Sequence, residues 1–314
     1  MSSLPVFFIT LFNSIPMVER FSSNKLLGTI FLLRGILILL GLFFVGLFVT
    51  QLVSALFVDS ENISRSQMLL TSVIQNIFAF ILPALVFNKI IYGNYTKQDG
   101  LRNGSHLSAY IVPVILIIIA MPFMNYIVEW NQNLSFPASM QGFEHKLREM
   151  EDLNASFSAK ILDTSSFWGL ITGVICIGIL TGFGEEIFFR GALQKLFVEC
   201  GINHHIAIWT AAFVFSAIHF QFFGFVPRLL IGAGLGYLFY WTGSIWVSAS
   251  AHAVNNSMVV IFTWLQKNRF LTDDLNTVGV TASGFPVEAT VSLICFCLTL
   301  YFSKKAYLFN SEKV

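Results

Sequence analysis

The apolar runs in this chain are as long as a bilayer is thick, and nothing else in the sequence constrains it as strongly. A helix needs about 20 mostly apolar residues to cross the roughly 30 Å hydrocarbon core. Eight stretches reach or approach that length: approximately Leu26–Phe48, Met68–Phe87, Leu107–Val128, Phe167–Phe189, Ile206–Phe225, Arg228–Trp241, Ile245–Leu265 and Val287–Phe302. The sixth is short and fits a tilted or kinked helix. The expected fold is therefore all-α, a polytopic integral membrane protein of about eight transmembrane helices. Composition agrees, with 55% of the residues hydrophobic and 11% charged, where a soluble globule carries about 25% charged residues. The formal net charge of +1 offers no basic field for nucleic acid, so nucleic-acid binding is not expected. Four cysteines lie in or beside apolar runs, two of them spaced Cys295-x-Cys297, which suits neither a disulfide framework nor a zinc finger.

Residues 1–25 contain an apolar patch, Pro5–Ile9, without a basic n-region or an A-x-A site, and read as an interfacial lead-in rather than a removable signal peptide. With the N-terminus inside, the inner loops and tails collect Arg20, Lys25, Lys89, Lys97, Arg102, Arg190, Lys195, Lys304, Lys305 and Lys313. The outer ones collect Arg65, Lys146, Arg148, Lys160, Arg228, Lys267 and Arg269, so ten cations stand against seven and both termini are expected in the cytoplasm. One loop is long, residues 131–166. Within it Met140, Phe143, Leu147 and Met150 recur at helical spacing, with Glu144, His145, Arg148, Glu149, Glu151 and Asp152 on the other face. This predicts an amphipathic helix before the fourth span, either on the membrane surface or packed on the protein's own rim.

Ionisable groups inside a span are expensive and face a cavity or a partner. Arg34, Glu185, Glu186, His219 and His252 are such groups. Arg34 stands alone in the first span and is read as structural, snorkelling or paired. The others come with companions four residues away: Glu186 with Arg190, Phe215 with His219, and His252 with Asn256. Glu185 is turned about 100° from Glu186 around the helix axis, so one carboxylate can be held by the arginine while its neighbour points elsewhere. Cys200-Gly201-Ile202-Asn203 is a turn signal, and Glu185 and His219 are each 17 residues from Ile202, which puts them at one level in an antiparallel hairpin. His252 follows the turn Thr242-Gly243-Ser244 and enters from the same side, at a depth of roughly 12 Å. A carboxylate and an imidazole in a partly dry cavity can deprotonate water. A second imidazole with a carboxamide can donate to the oxyanion formed when water attacks an amide. Peptide-bond hydrolysis inside the membrane is the reaction these residue types suggest.

The residues Glu185-Glu186-x-x-x-Arg190, Phe215-x-x-x-His219 and His252-x-x-x-Asn256 resemble the three motifs of the CAAX-protease and bacteriocin-processing (CPBP, or Abi) family of intramembrane proteases. Phe189-Arg190-Gly191 and the stretch Phe220 to Arg228 resemble the bacterial branch, and the likeness covers roughly Phe167–Val260. The resemblance implies a division into residues 1–130 (interfacial segment and three spans), 131–166 (amphipathic loop), 167–266 (catalytic core) and 267–314 (loop, last span and tail). It implies a type II CAAX prenyl endopeptidase-like enzyme of glutamic or metallo type in the bacterial inner membrane. Glu185 and His219 would activate water, His252 and Asn256 would form the oxyanion hole, and Glu186, Arg190 and Phe215 would support the site. Partners would be membrane lipid and a protein or peptide substrate, lipidated in the eukaryotic relatives' case. If zinc is bound, Glu185, His219 and His252 would be its ligands, since two His and one Glu with an open position form a catalytic set. The assignment without a cofactor is preferred, because Asn256 is a poor fourth ligand and a good oxyanion donor. The alternatives are a bacteriocin immunity or maturation factor of the same family, and a non-proteolytic transporter or scaffold using the buried charges as a proton relay. The sequence shows no H-E-x-x-H, G-x-G-D or G-x-S-G signature of other intramembrane hydrolases, and Gly232, Gly234 and Gly236 read as helix packing.

Overall fold

The computed structural model describes residues 25–58, 62–93, 106–271, 275–281 and 286–311. The lead-in segment and the loop cations Arg20, Lys97, Arg102 and Lys313 lie outside the described residues. Among those described the regular structure is entirely helical. The helices are α1 (Lys25–Ser54), α2 (Arg65–Tyr92), α3 (Leu107–Gln132), α4 (Gln141–Leu162), α5 (Phe167–Glu199), α6 (His204–Ala217), α7 (Phe225–Thr242), α8 (Ile245–Lys267) and α9 (Val287–Ser311). Six of them, α1, α2, α3, α5, α7 and α8, are long and apolar enough to cross a membrane. The other two of the eight expected apolar helices, α6 and the apolar part of α9, Val287–Ser303, are shorter among the described residues. The sixth run, expected to be short, is of spanning length; the fifth is the short one. Its helix stops at Ala217, and Phe220 takes a left-handed φ of 52°. The Ser216 hydroxyl donates to Phe225 O at 2.7 Å, so the chain curls back after one further turn instead of continuing.

Local sequence explains the joints. Ser64 and Gln67 form a reciprocal capping box at the start of α2. Pro83 lacks an N–H for the helical ladder, and the π-helical turn Asn76–Ile81 directly before it absorbs the disruption. Gly201 at φ 80° closes the α5–α6 hairpin and Gly243 at φ 62° ends α7, where side chains other than glycine are strained. Both turns fall where the sequence placed them. Arg34 is exposed on α1.

The main core joins α1, α2, α5, α6 and α8 through Leu39, Phe80, Phe87, Phe188, Phe189, Leu196, Phe215 and Ile245. Its aromatic rings form a chain of contacts from Phe43 to Phe80 (5.6 Å), Phe80 to Phe188 (5.6 Å), Phe188 to Phe189 (5.2 Å) and Phe189 to Phe215 (5.1 Å). Edge-to-face contacts of this kind add to the burial term and fix ring orientation.

The amphipathic helix is present as α4, but its faces are inverted relative to a helix that buries its apolar stripe. Phe143, Met150, Leu153 and Phe157 are exposed, while Glu144, Arg148 and Glu151 turn toward the protein. Glu144 accepts from the Phe136 N–H at 2.8 Å and from Arg148 Nε at 2.9 Å. Those two donors hold its carboxyl below the usual carboxylate range, so this tie is complete at neutral pH and is lost only as the pH falls below that range. At the far end of α4, Arg65 of α2 donates to Ile161 O at 2.8 Å and to Gly169 O at 2.8 Å.

Close approach of α1 and α2 depends on Gly46, whose added Cβ would lie 1.9 Å from the Phe78 carbonyl oxygen, whereas nothing lies within 4 Å of one at Gly41. Gly46→Ala is expected to destabilise the protein by about 1–3 kcal/mol through overpacking, while Gly41→Ala is neutral or slightly stabilising. Thermal unfolding in detergent compares the two directly; equal midpoints would show that the helices do not meet there.

Candidate active site

The site begins with a carboxylate that lipid cannot solvate. Glu186 is fully buried, and an ionised carboxylate in that position needs compensation from opposite charge and hydrogen bonds. Arg190, one helical turn later and 1% exposed, donates Nη1 to Glu186 Oε1 and Nη2 to the carbonyl of Gly232 at 2.6 Å. The same Glu186 oxygen lies 3.0 Å from His252 Nδ1. The imidazole is therefore tied at one nitrogen, and its other nitrogen faces Glu185, with Nε2 3.5 Å from Glu185 Oε2. Glu185, Glu186, Arg190 and His252 are all buried.

His219 lies just beyond the end of α6. Its Nδ1 is 2.8 Å from the Phe215 carbonyl oxygen, which can only accept, so Nδ1 carries the proton and Nε2 keeps its lone pair. The Phe215 ring stands between the two imidazoles, 5.1 Å from that of His219 and 5.7 Å from that of His252, with the Arg190 guanidinium 5.4 Å from its centre. The loop after His219 is held from two sides. Asn131 of α3 donates to Phe222 O at 3.2 Å and accepts from the Val226 N–H at 2.8 Å. Glu151 of α4 accepts from the Phe223 N–H at 2.9 Å, and the Arg148 guanidinium lies 3.9 Å from the centre of the Phe223 ring.

Small residues let these helices meet. An added Cβ at Gly178 would come within 2.1 Å of Ser257 Oγ, and one at Gly182 within 2.8 Å of the Ala253 nitrogen, so α5 and α8 meet closely at His252 and over the turn that follows it. Gly184 packs on buried Asn76 of α2 in the same way, its Cβ position 1.9 Å from Asn76 Oδ1. Gly232 and Gly236 of α7 pack against α6 and present their carbonyls to Arg190 and Gln194, the latter at 3.1 Å, which is the helix-packing role expected of them.

The structure thus gathers Glu185, Glu186, Arg190, Phe215, His219 and His252 into one cluster. Glu186 is the carboxylate held by Arg190, and Glu185, which makes no ion pair with the arginine, lies beside His252. Among the described residues no hydrogen bond or ion pair joins Glu185 to His219; the imidazole beside Glu185 is that of His252. Asn256 is half-buried one turn beyond His252 and accepts from Asn255 Nδ2 at 3.4 Å. Glu185, His219 and His252 do not converge as zinc ligands, and among the described residues no three His, Cys, Asp or Glu side chains do. Arg190 is buried in the cluster and Arg228 is half-buried, so both leave the loop count, which becomes nine against six in the same direction. Sequence inspection missed Asn76, Asn131, Glu151, Gln194 and Arg228. Extending the search for ionisable groups in apolar runs to amides would have found Asn76 and Gln194.

Removing one partner of a buried pair leaves an uncompensated charge. Arg190→Ala is expected to cost about 3–5 kcal/mol of stability, and the double change Glu186→Gln with Arg190→Met should recover much of it. Thermal unfolding in detergent decides: a double variant no more stable than Arg190→Ala would mean that the two residues do not act as a pair.

Residues 167–258 match the family model described as type II CAAX prenyl endopeptidase Rce1-like. Two uncharacterised proteins of Bacillus subtilis are similar to the chain. YpbD is 34% identical over 88 residues, 27% of this chain and 42% of that protein. YyaK is 30% identical over 168 residues, 48% of this chain and 54% of that protein. The chain thus spans about half the length of the curated relatives it matches. No solved structure matches it. Residues 167–258 contain Glu185, Glu186, Arg190, Phe215, His219, His252 and Asn256, and by this match that part of the chain is similar to the type II CAAX prenyl endopeptidases.

Proposed function

We propose that the protein is an intramembrane endopeptidase that hydrolyses a peptide bond with water activated by Glu185 and His219. The observation that carries this is a division of labour between adjacent carboxylates. Glu186 is consumed by Arg190 and His252, while buried Glu185 is left outside the arginine's grip and beside an imidazole. His219 complements it, since the Phe215 carbonyl leaves its Nε2 able to accept a proton. Water lying between them gives up a proton as its oxygen attacks the substrate carbonyl. The oxyanion then receives hydrogen bonds from the Asn256 amide and from His252 in its imidazolium form, whose Nδ1–H is given to Glu186 and whose Nε2–H is left to donate. The proton passes from the base to the leaving amine as the C–N bond breaks.

Beside this site lies an apolar cavity of about 420 Å³ between α3, α7, α8 and α9, whose walls include Leu116, Phe123, Leu238 and Asn255. Asn255 contacts Asn256, so a substrate carrying an aliphatic chain could place that chain within reach of the oxyanion donor. A lipidated peptide of the CAAX kind therefore suits the surroundings as well as the chemistry. We place it in a bacterial inner membrane, in line with the similar Bacillus subtilis proteins, and with both termini in the cytoplasm, which the cation distribution supports. We propose the scheme without a cofactor, because Asn256 suits an oxyanion donor better than a metal ligand, and no step in it passes through zinc.

Glu185→Gln keeps the volume of the side chain and removes the base, so purified Glu185→Gln and His219→Ala proteins are expected to fold and insert but not to cut a farnesylated CAAX reporter peptide. Full cleavage by either would falsify the scheme. A wild type that leaves this peptide and other lipidated peptides intact would point instead to a transporter, scaffold or immunity factor. Asn256→Ala should lower kcat by about 10²–10³ with little change in KM, because an oxyanion donor acts mainly in the transition state. Chelation with phenanthroline is expected to leave the rate unchanged; loss of activity restored by stoichiometric zinc would replace the scheme with a metal one.

A further inference from the structure

Arg228 is a cation close to His219 and Glu185 that the proposed mechanism does not use. It lies in the first turn of α7, half-buried, and its guanidinium donates Nη2 to Gln221 Oε1 and Nη1 to Gly224 O at 3.4 Å. Gln221 is two residues beyond His219. Gly224 makes room for the guanidinium, since an added Cβ there would lie 3.2 Å from both Nη atoms. Both hydrogen-bond acceptors are neutral. Arg148 and Arg190, by contrast, are each paired with a carboxylate. Two carboxylates, Glu151 and Glu185, feel the charge of Arg228, and so does His219, but among the described residues Arg228 makes no ion pair. A half-buried guanidinium next to a reacting centre, held in place by neutral groups, retains donors for an incoming anion, and its planar fork matches a carboxylate.

We propose that Arg228 binds the C-terminal carboxylate of the substrate peptide and so directs cleavage to a short, fixed distance from the chain end. This rests on the endopeptidase function proposed above. The terminal carboxylate is the anion that every unmodified peptide carries, whatever its sequence. In apolar surroundings it needs a cation, because Phe220 and Phe222 on the same loop supply no donor side chain. Anchoring the end rather than the side chains orders the substrate beside Glu185 and makes the released fragment a small peptide. The glutamates that flank Arg228 add selectivity, since they repel an anion that does not reach the guanidinium.

The test uses the full-length protein in phosphatidylcholine nanodiscs and two randomised, N-terminally acylated peptide libraries. The libraries lack Asp and Glu and differ only in ending as free acid or as amide. Mass spectrometry locates the cuts, and retention of each library on immobilised Glu185→Gln protein reads binding without hydrolysis. Wild type is expected to cut the acid form at a constant distance from its end, at least about tenfold faster than the amide, the usual worth of a hydrogen bond to a charged group. The Glu185→Gln protein is expected to retain the acid form in preference. Arg228→Gln should cut and retain both forms alike, and Arg228→Lys, which keeps the charge but not the fork, should preserve part of the preference. Acid and amide cut at the same rate by wild type would overturn the anchor and leave the peptidase standing. Selective retention without any cutting would overturn the peptidase and leave the anchor, and neither cutting nor selective retention would overturn both. A third library, amidated but containing Glu, completes the set: if it is cut as fast as the acid form, an acidic side chain rather than the terminus occupies Arg228 and the proposal fails.

Discussion

Glu186 accepts from Arg190 and faces His252 with one and the same oxygen, in a position with no access to solvent. Taking a carboxylate and a guanidinium out of water costs several kcal/mol per ion, and their attraction offsets it only when further hydrogen bonds are in place. The Gly232 carbonyl on Arg190 and the His252 imidazole on Glu186 are those further bonds. Three helices, α5, α7 and α8, are consequently locked to one another by one small polar cluster, and Glu185 and His252 are placed by reference to it. Such a pair is weak evidence for stability in itself. Its consequence is positional, since it leaves the neighbouring carboxylate, Glu185, free for another purpose.

That lock forms only because the helices approach closely. In a membrane, helix association lacks a hydrophobic drive and depends on packing, so small residues at the crossing decide where helices meet. Gly178 and Gly182 bring α8 against α5 at His252 and the turn after it, and Gly232 and Gly236 bring α7 against α6. The chain of rings from Phe43 to Phe215 carries the packing from α1 to the two imidazoles, so the site sits at the end of a continuous aromatic core rather than in a loop cluster.

The outer wall of the site is built differently, from backbone donors and polar side chains. His219 stands where α6 ends, and the following loop includes Phe220 in a left-handed conformation that costs of order 1 kcal/mol or more. Asn131 and Glu151 supply the bonds that hold that loop, each from an element far away in sequence. The inverted orientation of α4 follows from the same need. Glu144, Glu151 and Arg148 are required inside to satisfy loop N–H groups and stack on Phe223, which leaves Phe143, Met150, Leu153 and Phe157 outside, where lipid rather than water is their natural neighbour.

By itself, the sequence determined the helical membrane class, the turns at Gly201 and Gly243, the Glu186–Arg190 pair, and the set of residues that collect in one place. Each depends on local quantities: the length of an apolar run, the left-handed preference of glycine, the i,i+4 spacing of a helix, and the expense of charge in lipid. Tertiary structure alone decided that α6 ends before His219, that Glu185 meets His252 rather than His219, and that Asn131, Glu151 and Arg228 belong to the site's surroundings. An equal count of residues from a turn sets depth along the membrane normal, but says nothing about rotation of a helix about its axis, which the glycine contacts and the π-helical turns of α2 and α5 control. Loop N–H groups likewise have no signature in sequence for the distant side chain that will satisfy them, because that partner is chosen by whichever element the packed helices bring alongside.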